Sequence, residues 1–327
     1  MQERRRIAAY GWCADDAGRV LLARGAASGP VPGPWRLPGG SVPHAEHPAD
    51  TVVREFGDET GLAVAVAGLR AAVADLSALR LGATEVSVHT DRLVFNVTIR
   101  GAQPGHAGDL AQRTPRREVA DGPDELAWCT PQETAALPLM PFTAALLGLP
   151  TPSPPTGLPA EPEPAGSTSS VDEPPVGSEA TGDRRQRFSA YGLVTDPDER
   201  VLLTMIAPGY PGAGLWHLPG GGTDHGEQPV DGLLRELVEE SGQRGRVDRL
   251  ILADNLHNPA TLGPEGRLLD WHGVRVIYRV LVDEPTEPVV TEQAGGSTQS
   301  AAWFTYSQLR GLLMTDVAVL ATGRSVG

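Results

Sequence analysis

Residues 235–242 read Arg-Glu-Leu-Val-Glu-Glu-Ser-Gly, which sets Glu236, Glu239 and Glu240 at i, i+3 and i+4. On a helix that spacing gathers three carboxylates on one side, where like charges repel by roughly 0.2–0.5 kcal/mol per pair. Residues 54–61 repeat the layout 181 positions earlier, with Arg54, Glu55, Asp58 and Glu59. A solvated acidic face is the bland account of such a run. Against it stand the recurrence and the Gly39-Gly40 and Gly220-Gly221 pairs upstream, where a bare backbone lets a ligand come close. A hard divalent ion such as Mg2+ relieves the repulsion, because it takes carboxylate and phosphate oxygens together.

The flanking residues say which elements must position these groups. Val230, Leu233, Leu234 and Leu237 fall at i, i+3, i+4 and i+7, and Ala49, Val52, Val53 and Phe56 do the same in the earlier copy. Each set predicts a helix with one apolar stripe, its carboxylates on the flank beside the Gly-rich loop. Pro48 and Pro229 suit the first turn, Gly61 and Gly242 the C-terminal cap. Upstream, the alternating stretches 7–15 and 188–196 each lead through a turn into Arg-Val-Leu-Leu, the pattern of a β-hairpin. Apolar strands follow at 89–99 and 272–282, then amphipathic segments at 132–140 and 307–314. The expected class is α/β, with helices layered on a mixed sheet.

The offset of 181 also relates Tyr10-Gly11 to Tyr191-Gly192, Glu46 to Glu227, and Trp35-Arg36-Leu37-Pro38-Gly39-Gly40 to Trp216-His217-Leu218-Pro219-Gly220-Gly221. The chain is a tandem duplication, read as domain 1 over residues 1–149 and domain 2 over 187–327. Between them, 150–186 has few large apolar residues and nine prolines by position 175, the composition of a disordered linker.

The chain has 327 residues and a formal net charge of −14. That balance argues against nucleic-acid binding through a basic surface. Cys13 and Cys129 form no C-x-x-C pair and are expected to be buried apolar side chains in a reducing compartment. No stretch approaches the ~20 apolar residues of a membrane span. The expected setting is the cytoplasm, without membrane partners.

The segment Gly221-x5-Glu227-x7-Arg235-Glu236-Leu237-x-Glu239-Glu240-x-Gly242 resembles the Nudix box, the signature of Nudix hydrolases. Residues 40–62 are similar throughout, so the boxes span 40–62 and 221–243. The resemblance implies two α/β/α sandwich domains that cleave a pyrophosphate linkage in nucleoside diphosphates joined to another group X. The cofactor it implies is Mg2+, with Mn2+ as the alternative. Glu236, Glu239, Glu240 and Gly220 then correspond to metal ligands, as do Glu55, Asp58, Glu59 and Gly39 in domain 1. Arg235 with Glu227, and Arg54 with Glu46, correspond to the pairs that orient them.

Both boxes depart from the pattern. Gln243 stands where an aliphatic residue is usual, a packing change at the helix exit. Asp58 is one methylene shorter than the usual Glu, and Gly57 costs about 1 kcal/mol in a helix interior. Domain 2 is therefore the expected site of full competence. The competing class is a nucleotide-sensing module with catalysis lost in domain 1 or in both domains.

Further candidates carry less weight. Glu118 and Glu292 lie where some family members place an additional acid. His89, Arg92, His272 and Arg275 recur on a strand and are read as pairing within the sheet. Trp35 and Trp216 are read as core, and Tyr210 as a surface on which a base could stack. ADP-ribose, nucleotide sugars and nucleoside triphosphates stay open as substrates, since loops 23–34, 204–214 and 253–270 follow no readable pattern. Pairing of the two domains within one chain and homodimerisation both stay open.

Overall fold

The computed structural model describes residues 2–24, 33–81, 84–101, 125–151, 183–262, 267–291 and 296–323. The chain divides into two compact units, Met1–Pro174 and Pro175–Gly327, which carry domain 1 and domain 2. Domain 1 runs β1 (Gln2–Trp12), β2 (Val20–Arg24), β3 (Trp35–Arg36), β4 (Gly39–Ser41), α1 (Pro48–Thr60), β5 (Val64–Leu81), β6 (Thr84–Ile99), β7 (Glu125–Cys129), α2 (Pro131–Thr134) and α3 (Pro141–Leu146). Domain 2 repeats the order as β8 (Asp183–Thr195), β9 (Val201–Ile206), β10 (Trp216–His217), β11 (Gly220–Gly222), α4 (Pro229–Ser241), β12 (Arg246–Leu262), β13 (Leu268–Leu281), β14 (Thr298–Phe304), α5 (Tyr306–Leu309) and α6 (Asp316–Ala321).

In domain 1 the strands order as β4-β1-β6-β5 and β3-β2-β7. β1 and β6 are parallel, and the other pairs are antiparallel. In domain 2 the order is β10-β9-β8-β13-β12, with β11 added to β8 and β14 to β9. The expected hairpin forms at its turn in domain 2, with β8 and β9 pairing at Val194–Leu202 and Thr195–Val201, whereas in domain 1 β1 and β2 belong to different sheets and a single Ala14–Val20 bridge joins them at the turn. Beyond the turn the strands diverge, because the body of β1 or β8 is already hydrogen-bonded on both edges.

Residues 183–186, assigned by composition to the linker, are strand and correct that boundary. They open β8 and pair with β13 from Asp183 opposite Leu269 onward. Ladder bonds use backbone groups, so polar side chains there do not prevent pairing. The rest of the linker expectation, residues 152–182, lies outside the described residues.

Side chains alternate across β1 to join two helical layers. Tyr10 lies in a cluster with Leu22, Trp35, Leu37, Val94 and Phe142 of α3. Gly11, next along the strand, faces α1 on the other side, where an added Cβ would come within 2.7 Å of the Phe56 ring. Full burial of a side chain such as Phe56 contributes about 1.5–3 kcal/mol.

Pro48 and Pro229 open their helices, and Gly61 (φ 71°) and Gly242 (φ 69°) close them in the left-handed conformation. The apolar stripe is rotated from the expected one. Val230, Leu234, Ala49 and Val53 are half-buried, whereas Leu233, Leu237 and Glu240, or Val52, Phe56 and Thr60, are buried. Glu240 therefore lies on the buried side of α4 and not on its flank. The side-chain-free strand β11 leaves room for its carboxylate there.

Candidate functional site

Strand β11 is the floor of the site in domain 2. Gly220 has φ 126°, and a Cβ there would meet the Ala190 carbonyl oxygen at 2.3 Å, so glycine is required. Its N–H donates to Glu240 Oε2 at 2.8 Å. Thr298 Oγ1, on β14, donates to the other oxygen at 2.5 Å. Two donors therefore converge on one buried carboxyl group, one on each oxygen. Gly221 lies against Glu236 so closely that an added Cβ would sit 3.1 Å from the carboxylate.

Arg235 gathers the remaining acids. Its Nε and Nη2 donate to the two oxygens of Glu227 at 3.0 and 3.1 Å, while Nη1 donates to Glu236 at 3.0 Å and Glu239 at 3.2 Å. These bonds, led by Glu227, raise the arginine's pKa further and keep it protonated. The Asp224 N–H holds Glu227 from the far side at 2.8 Å. Three carboxylates thus share one guanidinium, with the Glu240 carboxyl group beside them on the Gly220 N–H. The donor set of the cluster is entirely oxygen, which suits Mg2+ or Mn2+ and not soft metals. The glycine floor against Glu236 is the space that a side chain would fill, so these residues fit a hard divalent ion.

The exit of α4 is strapped down. Thr291 and Val289 donate backbone N–H groups to the carbonyls of Glu239 and Ser241 at 2.8 and 3.0 Å. Gln243 is buried and exchanges bonds with Thr286, giving at 2.9 Å and accepting at 3.0 Å. Its departure from an aliphatic residue is thus a polar clamp.

Domain 1 repeats the frame and changes its centre. Gly39 (φ 142°) donates its N–H to Glu59 at 3.0 Å, and Arg54 binds Glu46 at 3.0 and 2.8 Å and Glu55 at 2.6 Å. Asp58 is exposed. Here Arg36 enters the cluster. Its Nη2 donates to Glu59 Oε1 at 2.5 Å and its Nη1 to Oε2 at 3.2 Å; Nη1 also reaches the Leu37 and Gly39 carbonyls at 3.1 and 3.0 Å. Burial pushes the Glu59 carboxyl upward, against the pull of Arg36 and the Gly39 N–H.

Domain 2 has His217 at the matching position. Its Nδ1 shares a 2.7 Å hydrogen bond with Thr315 Oγ1, and its ring stands edge-on to Tyr191 at 4.7 Å. Burial, helped by the Arg275 charge, lowers its pKa from 6.5 to about 4, so the ring is neutral at pH 7.

The other candidates sit as follows. Glu118 and Glu292 lie outside the described residues. Arg92 is buried, paired with Asp75 at 3.2 Å and donating to the Tyr10 hydroxyl at 2.5 Å. His89 meets Asp91 at 3.0 Å, and Arg5 holds that acid from the next strand. His272 bonds Gln186 and Asn255, and Arg275 pairs with Asp254 and Asp316. Trp35 is buried; Trp216 is half-buried, edge-on to Phe304. Tyr210 is exposed in the loop after β9. Cys13 and Cys129 are buried thiols, and burial pushes Cys13 up to about 12.

Sequence reasoning missed Arg36, His217 and Thr298. The signal for the first two was present: they are the single difference between the two Trp-x-Leu-Pro-Gly-Gly runs. Thr298 had none.

A glutamate-bearing helix set behind a Gly-Gly strand in an α/β/α sandwich defines a class, and family comparison agrees with it. The NUDIX domain matches residues 4–147 and 185–321, and the chain belongs to that family with two domains in tandem. It is 33% identical over 131 residues to a Mycobacterium tuberculosis protein provisionally named 8-oxo-dGTP diphosphatase 3, covering 40% of this chain and 53% of the relative. Over 72 residues it is 39% identical to a MutT-like protein of Streptomyces ambofaciens, covering 22% of this chain and 44% of that one. The chain thus spans about half the length of these relatives. Among solved structures, a MutT Nudix hydrolase from Burkholderia pseudomallei is similar at 26% identity and a TM-score of 0.34, covering 43% of this chain and 99% of its own. Among the described residues, no helix is long and apolar enough to cross a membrane.

Proposed function

We propose that domain 2 is a metal-dependent pyrophosphohydrolase acting on nucleoside diphosphates linked to a further group X. Water adds at phosphorus, the P–O–P bond breaks, and the products are a nucleoside monophosphate and phospho-X. The observation that carries the reading is the convergence of Glu227, Glu236 and Glu239 on Arg235, with Glu240 drawn to the Gly220 N–H beside them. Mg2+, when bound, would neutralise the diphosphate and lower the pKa of a coordinated water. Glu236, Glu239, Glu240 and the Gly220 carbonyl are the residues proposed to hold it.

The protein's own part is preorganisation. Arg235 fixes the rotamers of three acids at once, and the Gly220 N–H and Thr298 hydroxyl fix a fourth, so ligand oxygens stand ready before substrate arrives. The name of the mycobacterial relative favours a nucleoside triphosphate over ADP-ribose or a nucleotide sugar. For domain 1 the Arg36–Glu59 pair supports the second reading, a nucleotide-binding module with reduced turnover.

The test is full-length protein with Mg2+ and a panel of oxidised and ordinary nucleoside triphosphates, ADP-ribose, nucleotide sugars and dinucleoside polyphosphates, with products identified by mass spectrometry. Turnover that vanishes in Glu239→Gln/Glu240→Gln places the chemistry in domain 2. Turnover that survives moves it to domain 1, and no metal-dependent turnover of the panel overturns the enzyme reading in favour of a sensor.

A further inference from the structure

Among the differences between the two matching sites, one puts a charge beside the cluster: Arg36 in domain 1 stands where domain 2 has His217. We propose that the Arg36 guanidinium is a built-in cation that takes the place of a divalent ion in domain 1. It rests on the reading that the box carboxylates hold divalent ions.

Arg36 donates to both oxygens of Glu59 and to the Gly39 carbonyl. The matching atoms of domain 2, the Glu240 carboxylate and the Gly220 carbonyl, are the ones proposed as metal ligands there. A guanidinium is a permanent cation at any physiological pH, and its planar fork fits a carboxylate in two-point fashion. Both partners are nearly enclosed, each side chain 12% exposed, so water screens the pair weakly. A metal ion reaching Glu59 would have to break this bidentate pair and leave the guanidinium in an enclosed, cation-bearing site.

Two further features of domain 1 point the same way. Asp58 stands where domain 2 has Glu239, one methylene shorter and on the exposed side of α1. Arg54 spends its bonds on Glu46 and Glu55, whereas Arg235 reaches as far as Glu239. Domain 1 therefore keeps the Nudix frame with one cation supplied by its own chain.

His217 shows what the position does when it is uncharged. The ring is neutral and bonded to Thr315, and Glu240 is held by the N–H of Gly220 and the hydroxyl of Thr298. A single side chain, Arg or His before Leu-Pro-Gly-Gly, sets how much positive charge the cluster still accepts.

Mn2+ is the probe. Its binding to full-length protein is measured by electron paramagnetic resonance and calorimetry in the wild type, in Glu239→Gln to weaken domain 2, and in Arg36→His and Arg36→Gln on each background. Arg36→Gln is the second variant because it removes the charge while keeping a polar chain, and thermal melting reports whether each variant is folded. The expected result is Mn2+ affinity at domain 1 tightened on the order of tenfold by both changes, independent of Glu239→Gln. The reciprocal His217→Arg should weaken Mn2+ at domain 2 by a similar factor.

Unchanged domain 1 affinity in folded Arg36 variants, with Mn2+ still bound at domain 2, overturns the proposal and leaves the enzyme reading standing. Wild-type domain 1 binding as many ions as tightly as domain 2 overturns it too. Absence of Mn2+ from both domains overturns the metal reading and the proposal with it.

Discussion

The Gly220 N–H donates to the Glu240 carboxylate at 2.8 Å, joining residues 20 positions apart and setting the distance between strand β11 and helix α4. The bond exists because Gly220 adopts φ 126° with its backbone against Ala190, where a Cβ would lie 2.3 Å from the carbonyl oxygen. Gly220→Ala must shift the strand away from β8 or rotate the peptide, and either movement breaks the bond to Glu240. The expected cost is on the order of 3 kcal/mol in domain 2, read from urea unfolding, together with loss of turnover. An alanine variant with unchanged stability and activity would show that the strand tolerates the shift.

Arg235 is a fork, and its function depends on shape as well as charge. Three of its nitrogens bind three different glutamates, an arrangement one ammonium cannot reproduce. Arg235→Lys keeps the charge and is expected to lower kcat about 10- to 100-fold. Because the side chain is about a third exposed, the effect on unfolding should stay within about 1 kcal/mol. A kcat within twofold of wild type would mean that the acids hold their positions without the fork.

His217 makes domain 2 sensitive to acid. Above pH 6.5 the ring is neutral whether the chain is folded or unfolded and contributes nothing to the pH dependence. Between pH 6.5 and about 4 the unfolded chain takes up a proton that the folded site refuses, so stability falls as pH falls. The full penalty is on the order of 3 kcal/mol below pH 4, since each pKa unit corresponds to about 1.4 kcal/mol. In His217→Gln that component is removed. The urea midpoint of domain 2 should then fall less between pH 7 and pH 4.5 than in the wild type.

The sequence made the box legible because its parts are local. A helix with Pro at its start and Gly at its end shows its period and its limits within thirteen residues, and Pro48–Thr60 and Pro229–Ser241 follow those marks. The rotation of the stripe was not legible, because periodicity counts Val230 and Leu234 as core and cannot see that β11 offers a polar N–H to Glu240. Strand 183–186 was hidden for a similar reason: its pairing is set by backbone bonds to β13, and its side chains are polar. Arg36 and His217 appeared as an ordinary mismatch until the fold set one against Glu59 and the other against Thr315. Gln243 was visible as a departure, but its partner Thr286 lies 43 positions away and no local pattern announces it.

Thr298 carries the last prediction, because nothing in the sequence marks it and its only claim to function is geometric. It enters on β14, whose register with β9 places Thr298 opposite Ile206. From there its hydroxyl donates to Glu240 Oε1 at 2.5 Å while the Gly220 N–H holds Oε2. The two donors fix both oxygens of a carboxylate that is 3% exposed, and so fix the direction in which it presents its remaining lone pairs. Thr298→Val keeps the volume and the β-branch and deletes the donor alone. A lost orienting bond weakens metal affinity by roughly tenfold or more. The expected variant is folded, binds Mn2+ at domain 2 about tenfold more weakly, and recovers turnover as Mg2+ is raised. Thr298→Ser, which restores the hydroxyl, should return most of the affinity. If valine and serine behave alike, the hydroxyl is incidental to the orientation of Glu240.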